Sequence, residues 1–398
     1  MTTASFADVP VSGTAAGLVK FQAPEIVFGP GALAEAGYCA LRLGARRPMV
    51  VTDEGIIEVG WASALVTHLH EAGLTPIVVS GVTPNPKEHE VAAAYTRYVE
   101  EACDVVVAIG GGSAMDAAKG VAILAGNGGR ILDYGGVDQV QERIPPMLMV
   151  PTTSGTGADV SQFCIVTDTT RHVKVTIMGR ALVPDISITD PRLLVTMPEW
   201  LNAATGLDAL THGIEAFVSR AHNPLADVHA LSAVGLVNQH LTHTVHDPAD
   251  DASRVGMAQA SLNAGLAFSN AILGATHAMS HQVGGLLDAP HGVINGILLP
   301  HVIRYNAKSS PDRFIEIAAR FGIEAAADEP GDQVADRLAE RVRELADAVG
   351  VPRSLSAIGM TESDVDLLSR NSLDDACITT NPRHSEAADI ARIFREAL

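Results

Sequence analysis

The stretch "VVVAIGGGSAMDAAKG", residues 105–120, decides the fold of the first half of this chain. It has the pattern of a buried β-strand, a glycine turn and a helix, which is the repeating unit of a parallel sheet. Glycines let a backbone come close to a ligand, and the free N–H groups at a helix N-terminus favour phosphate. The dinucleotide fingerprint G-x-G-x-x-G is incomplete, because Met115 stands where its third glycine would be. A phosphate site and a plain tight turn therefore both remain open.

Segments of the same kind surround this unit and define the predicted domains. Strand-like runs, some leading into small-residue loops, occupy residues 47–53, 75–82 and 145–157, and helical patterns occupy residues 61–73 and 90–102. From about residue 197 the pattern is almost entirely helical. We predict a flexible tail over residues 1–22, an α/β domain over 23–195 with a mostly parallel sheet, and an all-helical domain over 196–398.

Composition excludes several classes of protein. The chain has 398 residues and a formal net charge of −19, which argues against a general nucleic-acid binder. Its four cysteines are scattered without a C-x-x-C motif, so no disulfide framework or thiolate metal site is expected. The N-terminal segment has no basic region followed by an apolar core, and no apolar run is long enough to cross a bilayer. We therefore expect a cytoplasmic protein with no membrane or nucleic-acid partner.

Two further polar features follow predicted strands. The loop "PTTSGTGAD", residues 151–159, offers hydroxyls and glycines directly after a strand. Asp53 ends the strand "VVTD", where an acid can accept hydrogen bonds from an adenosine ribose and would repel a 2′-phosphate. Asp53 is equally suited to capping the helix that follows. If the ribose interpretation holds, the cofactor is NAD rather than NADP.

Histidines and one aspartate form two clusters in the helical half. Asp208 and His212 lie one helical turn apart in "GLDALTHGIEAF". His277 and His281 have the same spacing in "GATHAMSHQVGGLLDAPHG", and His291 follows in the adjoining loop. Imidazole and carboxylate together suit divalent iron, zinc, nickel or manganese better than calcium. The spacing predicts a metal site but leaves open which of the five side chains bind.

In combination, these motifs resemble the iron-containing (group III) alcohol dehydrogenase family. The resemblance rests on "VTDEGI", "TPNP", "AIGGGSAMDAAK", "PTTSGTGAD", "GLDALTHGIEAF", "THAMSHQVGG" and "APHGVINGILLPH", and it runs from about residue 25 to residue 394. It implies a dehydroquinate synthase-like fold, in which a dinucleotide-binding sheet domain precedes a helical domain that binds metal and substrate. The chain departs from the family at Ala158 and Asp159, where Ser-Glu is usual. Asp159 keeps the negative charge on a shorter side chain.

The resemblance also implies roles for individual residues. The metal ligands would be Asp208, His212, His277 and His291. Residues that would contact the cofactor are Asp53, Gly111, Gly112, Ser113, Thr152, Thr153, Thr156 and Lys174. The substrate pocket would be lined by Phe163, Phe268 and Cys377. His281 would lie close to the nicotinamide and substrate without binding the metal, where it either passes a proton or fixes the site by hydrogen bonding.

The implied activity is a metal-dependent, NAD(H)-dependent interconversion of a small primary alcohol and its aldehyde. The metal would be Fe²⁺, with Zn²⁺ as the alternative, and the protein would form a homodimer or larger homo-oligomer. Other hypotheses are a nicotinoprotein that keeps its NAD, a reductase of an anionic aldehyde or semialdehyde, a metal-independent reductase such as the maleylacetate reductases, and a non-catalytic binding module. A dehydroquinate synthase-like cyclase is disfavoured, because residues 206–217 and 274–296 contain no Lys or Arg for a phosphorylated sugar.

Overall fold

The computed structural model describes residues 19–171 and 173–398. Residues 1–18 of the predicted tail lie outside the described residues. The strands are β1 (Glu25–Phe28), β2 (Met49–Val51), β3 (Ile77–Val79), β4 (Val106–Gly110), β5 (Gly136–Val137), β6 (Met147–Pro151), β7 (Phe163–Asp168), β8 (Val173–Met178) and β9 (Ile186–Thr189). The α-helices are α1 (Ala36–Arg42), α2 (Glu54–Glu58), α3 (Trp61–Glu71), α4 (Glu88–Glu100), α5 (Gly112–Asn127), α6 (Glu199–Val218), α7 (Pro224–His246), α8 (Asp251–Ala271), α9 (Ala275–Leu287), α10 (His291–Ala307), α11 (Pro311–Arg320), α12 (Gly331–Ala348), α13 (Glu362–Asp374) and α14 (Ala387–Ala397).

The central sheet has six parallel strands in the order β1-β9-β6-β4-β2-β3. Successive side chains of a strand point to opposite faces, and those of β4 enter two separate cores. Val106 and Ala108 pack with α4 and α5, whereas Val107 and Ile109 pack with α1 and α3. Helices therefore cover both faces of the sheet, which explains why its central strands are continuously apolar. The predicted α/β architecture of the first half is confirmed.

A second, smaller sheet of three strands was not predicted from the sequence. Its order is β5-β8-β7, with β7 and β8 forming an antiparallel hairpin and β5 pairing parallel to β8. Strand β5 is only two residues long, too short to give a periodic signal. The hairpin packs with α5, since Cys164, Val166 and Ile177 belong to the same core as that helix.

From Glu199 onward the described chain is helical, with α6 at its centre. Every residue of α6 from 202 to 218 is buried, because the helix packs against α7, α8 and α10. A helix enclosed on all sides is expected to be apolar throughout. Asp208, His212 and Glu215 break that rule, and buried polar groups of this kind require partners. No helix among the described residues is long and apolar enough to cross a membrane.

The loop after β6 joins the sheet to the helical half. Gly155 lies so close to α6 that a Cβ atom at this position would stand 2.2 Å from the carbonyl oxygen of Thr205. Glycine is therefore required here, and the close approach brings the carboxyl ends of the parallel strands next to the polar residues of α6.

Candidate functional site

Three imidazole rings converge on one carboxylate oxygen, Asp208 Oδ1. The Nε2 atoms of His212, His277 and His291 lie 3.7, 3.5 and 3.8 Å from it. Asp208 and His212 share a face of α6, whereas the other two histidines come from α9 and from the first residue of α10. The structure thus brings together all four residues for which the resemblance implies metal binding.

The spacing of these atoms suits a divalent metal ion. In a tetrahedral site with metal–ligand bonds of about 2.1 Å, neighbouring ligand atoms stand about 3.4 Å apart. The observed separations from Asp208 Oδ1 are 3.5 to 3.8 Å, close to that value. Ligand atoms of Asp208, His277 and His291 all lie within 4.8 Å of one another. A set of three nitrogens and one carboxylate oxygen favours iron or zinc over calcium or magnesium.

The other ring nitrogen of each histidine has its own partner. Nδ1 of His212 lies 3.2 Å from the carbonyl oxygen of Gly155, and Nδ1 of His291 lies 3.2 Å from Ser280 Oγ. Nδ1 of His277 lies 2.7 Å from Glu215 Oε2. Metal-binding histidines characteristically engage their second nitrogen in this way, which fixes both the ring and its tautomer. The cluster is therefore oriented by the protein itself.

Asp208 also has a neighbour that the sequence analysis did not identify. Asn295 Nδ2, on α10, donates to Asp208 Oδ1 at 2.8 Å and lies 3.3 Å from Nε2 of His277. The side chain of Asn295 is completely buried. It holds the carboxylate on the side that faces His277.

His281 stands beside this cluster but does not join the convergence on Asp208. Its ring stacks on that of His291, with centroids 5.2 Å apart. Its Nδ1 lies 2.8 Å from Asp375 Oδ2, and Asp375 Oδ1 accepts from the backbone N–H of Cys377 at 2.9 Å. Because the carboxylate fixes Nδ1 as a donor, Nε2 of His281 is left to accept or release a proton.

The two glycine-rich loops lie side by side at the carboxyl edge of the central sheet. Strands β4 and β6 are parallel neighbours, with Gly110 opposite Pro151, so the loops that follow them face each other. A Cβ atom on Gly112 would stand 3.0 Å from Cγ2 of Thr156, so a larger residue would have to displace the threonine side chain. Gly111 precedes the first turn of α5, and Ser113 lies within that turn. The glycine loop at residues 110–113 and the loop at residues 151–159, called the threonine loop below, thus form one cleft at the N-terminus of a helix.

Several hydroxyls of this cleft have no partner. The Oγ atoms of Thr152, Thr153 and Ser154 are buried and make no hydrogen bond to the described protein. Buried polar atoms are normally satisfied, so an unpaired group at the end of a parallel strand marks a place where a ligand can bind. These free hydroxyls and the glycine loop fit a dinucleotide.

Asp53 lies at the same edge, after the neighbouring strand β2. Its Oδ1 accepts from the backbone N–H of Ile56 at 3.0 Å, so the helix cap considered from the sequence is present. Its Oδ2 faces the glycine loop, 3.2 Å from where a Cβ on Gly110 would lie. One oxygen caps α2 while the other remains directed at the cleft, so the two interpretations of Asp53 are compatible.

Lys174 approaches the site from the hairpin and reaches toward α9. Its Nζ atom would lie 3.6 Å from a Cβ on Gly284, one helix turn beyond His281. Burial lowers the pKa of Lys174, and the carboxylates of Asp288, Asp116 and Asp208 oppose that effect. The structure therefore places this amine near α9, with the carboxylates of Asp288, Asp116 and Asp208 close enough to influence it.

Comparison with known proteins identifies the family. A sequence model described as "Iron-containing alcohol dehydrogenase" matches residues 23–191, and one described as "Fe-containing alcohol dehydrogenase family, C-terminal" matches residues 202–398. The 1,3-propanediol dehydrogenase of Citrobacter freundii is 39% identical over 93% of this chain and 96% of its own length. This chain belongs to the iron-containing alcohol dehydrogenase family.

Other relatives match along nearly the whole chain. The NAD-dependent methanol dehydrogenase of Bacillus methanolicus is 36% identical over 95% of this chain and 99% of its own length. A crystal structure of 1,3-propanediol oxidoreductase superposes with a TM-score of 0.93 at 37% identity, covering 96% of this chain and all of that one. The predicted family, fold class and enzyme class, an alcohol/aldehyde oxidoreductase, are confirmed.

The electrostatics of this dehydrogenase's cluster favour a cation. Burial opposes ionisation of Asp208, but the surrounding histidines outweigh it and hold the pKa of the carboxyl well below its usual range. Burial lowers the pKa of His212 to about 4 and that of His291 well below its ordinary value. Burial also opposes protonation of His277, but its hydrogen bonds to Asp208 and Glu215 prevail and raise its pKa to about 9. At neutral pH and without an ion, the cluster thus combines ionised carboxylates, neutral His212 and His291, and a protonated His277, whose proton a bound metal would displace.

Aromatic rings close one side of the dehydrogenase site. Phe268 stacks on the ring of His212 with centroids 4.4 Å apart, and Phe163 lies against Phe268 at 5.6 Å. Cys377 is buried next to Asp375 and His281, and burial raises the pKa of its thiol well above the ordinary value. Phe268 and Cys377 therefore lie beside the histidines of the site, and Phe163 lies behind Phe268.

Asp159, the departure from the family motif, takes a structural position. It is buried and accepts a hydrogen bond from Ser187 Oγ on β9 at 2.7 Å. The shorter acid thus ties the second loop to the sheet without reaching the cluster around Asp208.

Three residues of the site were missed from the sequence. Glu215 follows Asp208 by seven residues and His212 by three, so the helical period already placed it on their face. Asn295 and Asp375 gave no comparable signal, because their partners lie 87 and 94 residues away in the chain.

Proposed function

We propose that this dehydrogenase interconverts a small primary alcohol and its aldehyde with NAD(H), using one divalent metal ion held by Asp208, His212, His277 and His291. The observation that carries the proposal is the convergence of three Nε2 atoms on Asp208 Oδ1, within 3.8 Å. The metal is Fe²⁺ in this proposal, with Zn²⁺ as the alternative the same ligands accept.

The two bound groups supply the chemistry that side chains cannot. When bound, the divalent ion would supply a Lewis acid for the oxygen of the alcohol or aldehyde, and the nicotinamide would supply hydride transfer. The protein's own part is to orient both groups, and Gly155 links the two sites, since it belongs to the threonine loop and accepts from His212.

We assign His281 the role of catalytic residue that moves the proton. Its Nδ1–H donates to Asp375, which leaves Nε2 as the atom that takes a proton from an alcohol or returns one to an aldehyde. Asp375 keeps that tautomer and stabilises the ring when it becomes positively charged. The alternative role, in which His281 only fixes the site, predicts that its replacement changes metal affinity as much as rate.

We infer that the substrate is small and carries an apolar group next to its hydroxyl. Phe163 and Phe268 exclude water beside His212, and the buried thiol of Cys377 is uncharged. A second candidate, an anionic aldehyde, is supported by Lys174, a half-buried amine directed at α9. Lys174→Met separates the two, because it removes the charge and keeps most of the side-chain volume.

Further proposals concern the cofactor and the setting of the enzyme. Dinucleotide binding by Gly111, Gly112, Ser113, Thr152, Thr153, Thr156 and Lys174 is supported by the shared cleft and the unpaired hydroxyls. NAD is preferred over NADP because Asp53 directs a free carboxylate oxygen at the cleft. A cytoplasmic location is supported by four buried free thiols, and a homodimer or larger assembly by the family resemblance. The domain boundary is proposed at residues 195/196, between β9 and α6.

A panel of aldehydes tests this function. Neutral and anionic aldehydes are offered with NADH or NADPH to enzyme reconstituted with Fe²⁺ or Zn²⁺. We expect the highest kcat/KM for a neutral short-chain aldehyde with NADH. In Lys174→Met the KM for NADH should rise, because a proposed cofactor contact is lost, while the ranking of the aldehydes should stay the same. A preference for anionic aldehydes that disappears in Lys174→Met supports the second candidate. NAD that stays bound through gel filtration, without turnover of added NADH, identifies a nicotinoprotein instead.

A further inference from the structure

Glu215 is a buried carboxylate for which neither the sequence nor the proposed reaction supplied a role. It lies on the face of α6 that carries Asp208 and His212, and it is only 2% exposed. Among the described residues, its one ion-pair partner within 4.0 Å is a histidine, His277. An acid this deeply buried is costly unless its oxygens are fully used.

Both oxygens of Glu215 accept hydrogen bonds from the start of α9. Oε2 accepts from the backbone N–H of Gly274 at 2.9 Å and lies 2.7 Å from Nδ1 of His277. Oε1 accepts from the backbone N–H of Thr276 at 2.6 Å. Helix α9 has no capping side chain of its own, so a residue of α6 caps it. The carboxylate therefore fixes the helix that carries His277 and the ring itself.

The contact decides which nitrogen of His277 can face a metal. An ionised carboxylate only accepts hydrogen bonds, so Nδ1 must carry the hydrogen. In the neutral ring that a metal requires, the lone pair is then on Nε2, the atom that lies 3.5 Å from Asp208 Oδ1. If the acceptor at Nδ1 were removed, the ring could adopt the opposite tautomer, in which Nε2 carries the hydrogen. An N–H group would then point at the ion.

The close approach of Glu215 to α9 depends on the absence of a side chain at Gly274. A Cβ atom on Gly274 would stand 3.0 Å from Oε1 of Glu215 and 2.9 Å from Oδ1 of Asn381. The first distance is tighter than nearly all real Cβ contacts, and the second would force Asn381 to move. Glycine at position 274 therefore allows the carboxylate to lie against the first turn of α9.

His277 differs in this respect from the other two histidines. The Nδ1 partners of His212 and His291 are neutral, a backbone carbonyl and the hydroxyl of Ser280. Only His277 is held by a charged acceptor, and charge-assisted hydrogen bonds are roughly twice as strong as neutral ones. With Asp208, the carboxylate of Glu215 also brings the buried negative charge to two, which a divalent cation balances.

We propose that Glu215 is a positioning residue of the metal centre, which holds His277 with Nε2 facing the ion and supplies the second negative charge that retains it. This inference rests on the proposed metal site and deepens it. Because Glu215 is proposed to retain the metal rather than to take part in turnover, the test measures the affinity of the enzyme for a metal ion.

The experiment measures Co²⁺ binding to metal-stripped enzyme by its visible absorption, with the dissociation rate into excess chelator as a second readout. Wild type is compared with Glu215→Gln, and with Ser280→Ala as the matched control at a neutral Nδ1 partner. We expect Glu215→Gln to bind Co²⁺ 10- to 100-fold more weakly, the range typical for loss of the outer partner of a metal-binding histidine, and the Co²⁺ spectrum to shift. Ser280→Ala removes a neutral partner and should weaken Co²⁺ binding less than Glu215→Gln does, because a charge-assisted hydrogen bond is roughly twice as strong as a neutral one.

A purely structural role for Glu215 gives a different result. If the residue only caps α9, Glu215→Gln lowers the Tm of the metal-free protein, while the increase in Tm on adding Co²⁺ stays as in wild type. An unchanged Co²⁺ affinity in folded Glu215→Gln overturns the inference and leaves the proposed function intact. Wild-type enzyme that binds no Co²⁺ overturns the proposed function, and the inference with it. If Glu215→Gln does not fold, Gly274→Ala, which displaces the carboxylate without removing it, is judged by the same affinity criterion.

Discussion

The cluster around Asp208 and the glycine loops after β4 and β6 meet at Gly155, but their polar atoms are satisfied in different ways. Each histidine that faces Asp208 has its second nitrogen engaged by the protein. In the loops, the hydroxyls of Thr152 and Thr153 are buried without a partner. A site for a small ion is built from internal hydrogen bonds, whereas a site for a large cofactor is built from space and unpaired donors.

This contrast has a physical basis. An ion contributes no hydrogen bonds of its own, so its ligands must be held in position by their neighbours. A dinucleotide carries many donors and acceptors, and it satisfies the loop when it binds. Substitutions in the cluster should therefore disrupt the site in the absence of cofactor, whereas substitutions in the loops should act mainly through cofactor binding.

The largest effect is expected at Asp208, where all three imidazoles converge. Asp208→Ala removes the single anionic ligand, so the enzyme should lose its bound metal and at least about 10³-fold in kcat. Elemental analysis after gel filtration and steady-state kinetics measure the two losses. His243→Ala, at an exposed histidine of α7, is the control and should change neither. Full metal content and wild-type kcat in Asp208→Ala would contradict the ligand assignment.

The second-largest effect is expected for a substitution that weakens cofactor binding alone. Gly112→Val places a branched side chain where Thr156 leaves 3.0 Å of space, at the helix N-terminus that faces the cleft. The KM for NADH should rise about tenfold or more, which corresponds to at least about 1.4 kcal/mol of lost cofactor binding, while metal content stays unchanged. Gly235→Val is the matched control, since a Cβ there approaches only the Arg320 side chain, at 4.0 Å. An unchanged KM in Gly112→Val would remove this loop from the cofactor site.

Asp53 allows the capping and ribose roles to be separated. Asp53→Ser keeps a capping oxygen for α2 but removes the charge, so selectivity for NADH over NADPH should fall by about tenfold with little change in Tm. Asp53→Ala should lose the same selectivity and also about 1 kcal/mol of folding free energy through loss of the cap. Kinetics with both cofactors and thermal unfolding measure these outcomes. If Asp53→Ser kept the wild-type selectivity for NADH over NADPH, capping of α2 would be the only role left for Asp53.

The smallest effect tests the unpaired hydroxyls directly. Thr152→Val removes a buried hydroxyl without changing the shape of the side chain. Because that hydroxyl has no partner in the protein, the Tm of the cofactor-free enzyme should stay constant or rise slightly, while NADH binds several-fold more weakly. Isothermal titration with NADH and thermal unfolding provide both values. A clear loss of stability without cofactor would mean that Thr152 is satisfied within the protein.

Much of the fold was predictable because its signals are local. The unit at residues 105–120 shows a strand, a turn and a helix in sequence order, and neighbouring units repeat the pattern. The smaller sheet escaped prediction because β5 has two residues and gains its place only by pairing with β8. Such pairing depends on tertiary contacts that a single sequence does not display.

The residues of the site also divide into those with a local sequence signal and those without one. The i, i+4 spacing marked Asp208 and His212, and the same period marked Glu215, although that residue was not singled out. The bond from His212 to the carbonyl of Gly155 involves a backbone atom and has no sequence signature at all. Asp375 comes from a short segment before Cys377, and only the folded chain places it beside His281.

The central claim is that one divalent ion at the Asp208 cluster is required for hydride transfer. Its most direct test is the titration of metal-stripped enzyme with Fe²⁺ under anaerobic conditions, with aldehyde-dependent oxidation of NADH as the readout. The account predicts that the rate rises linearly and stops rising at one metal per chain, and that Asp208→Ala stays inactive throughout. Full turnover by the metal-stripped enzyme would contradict it.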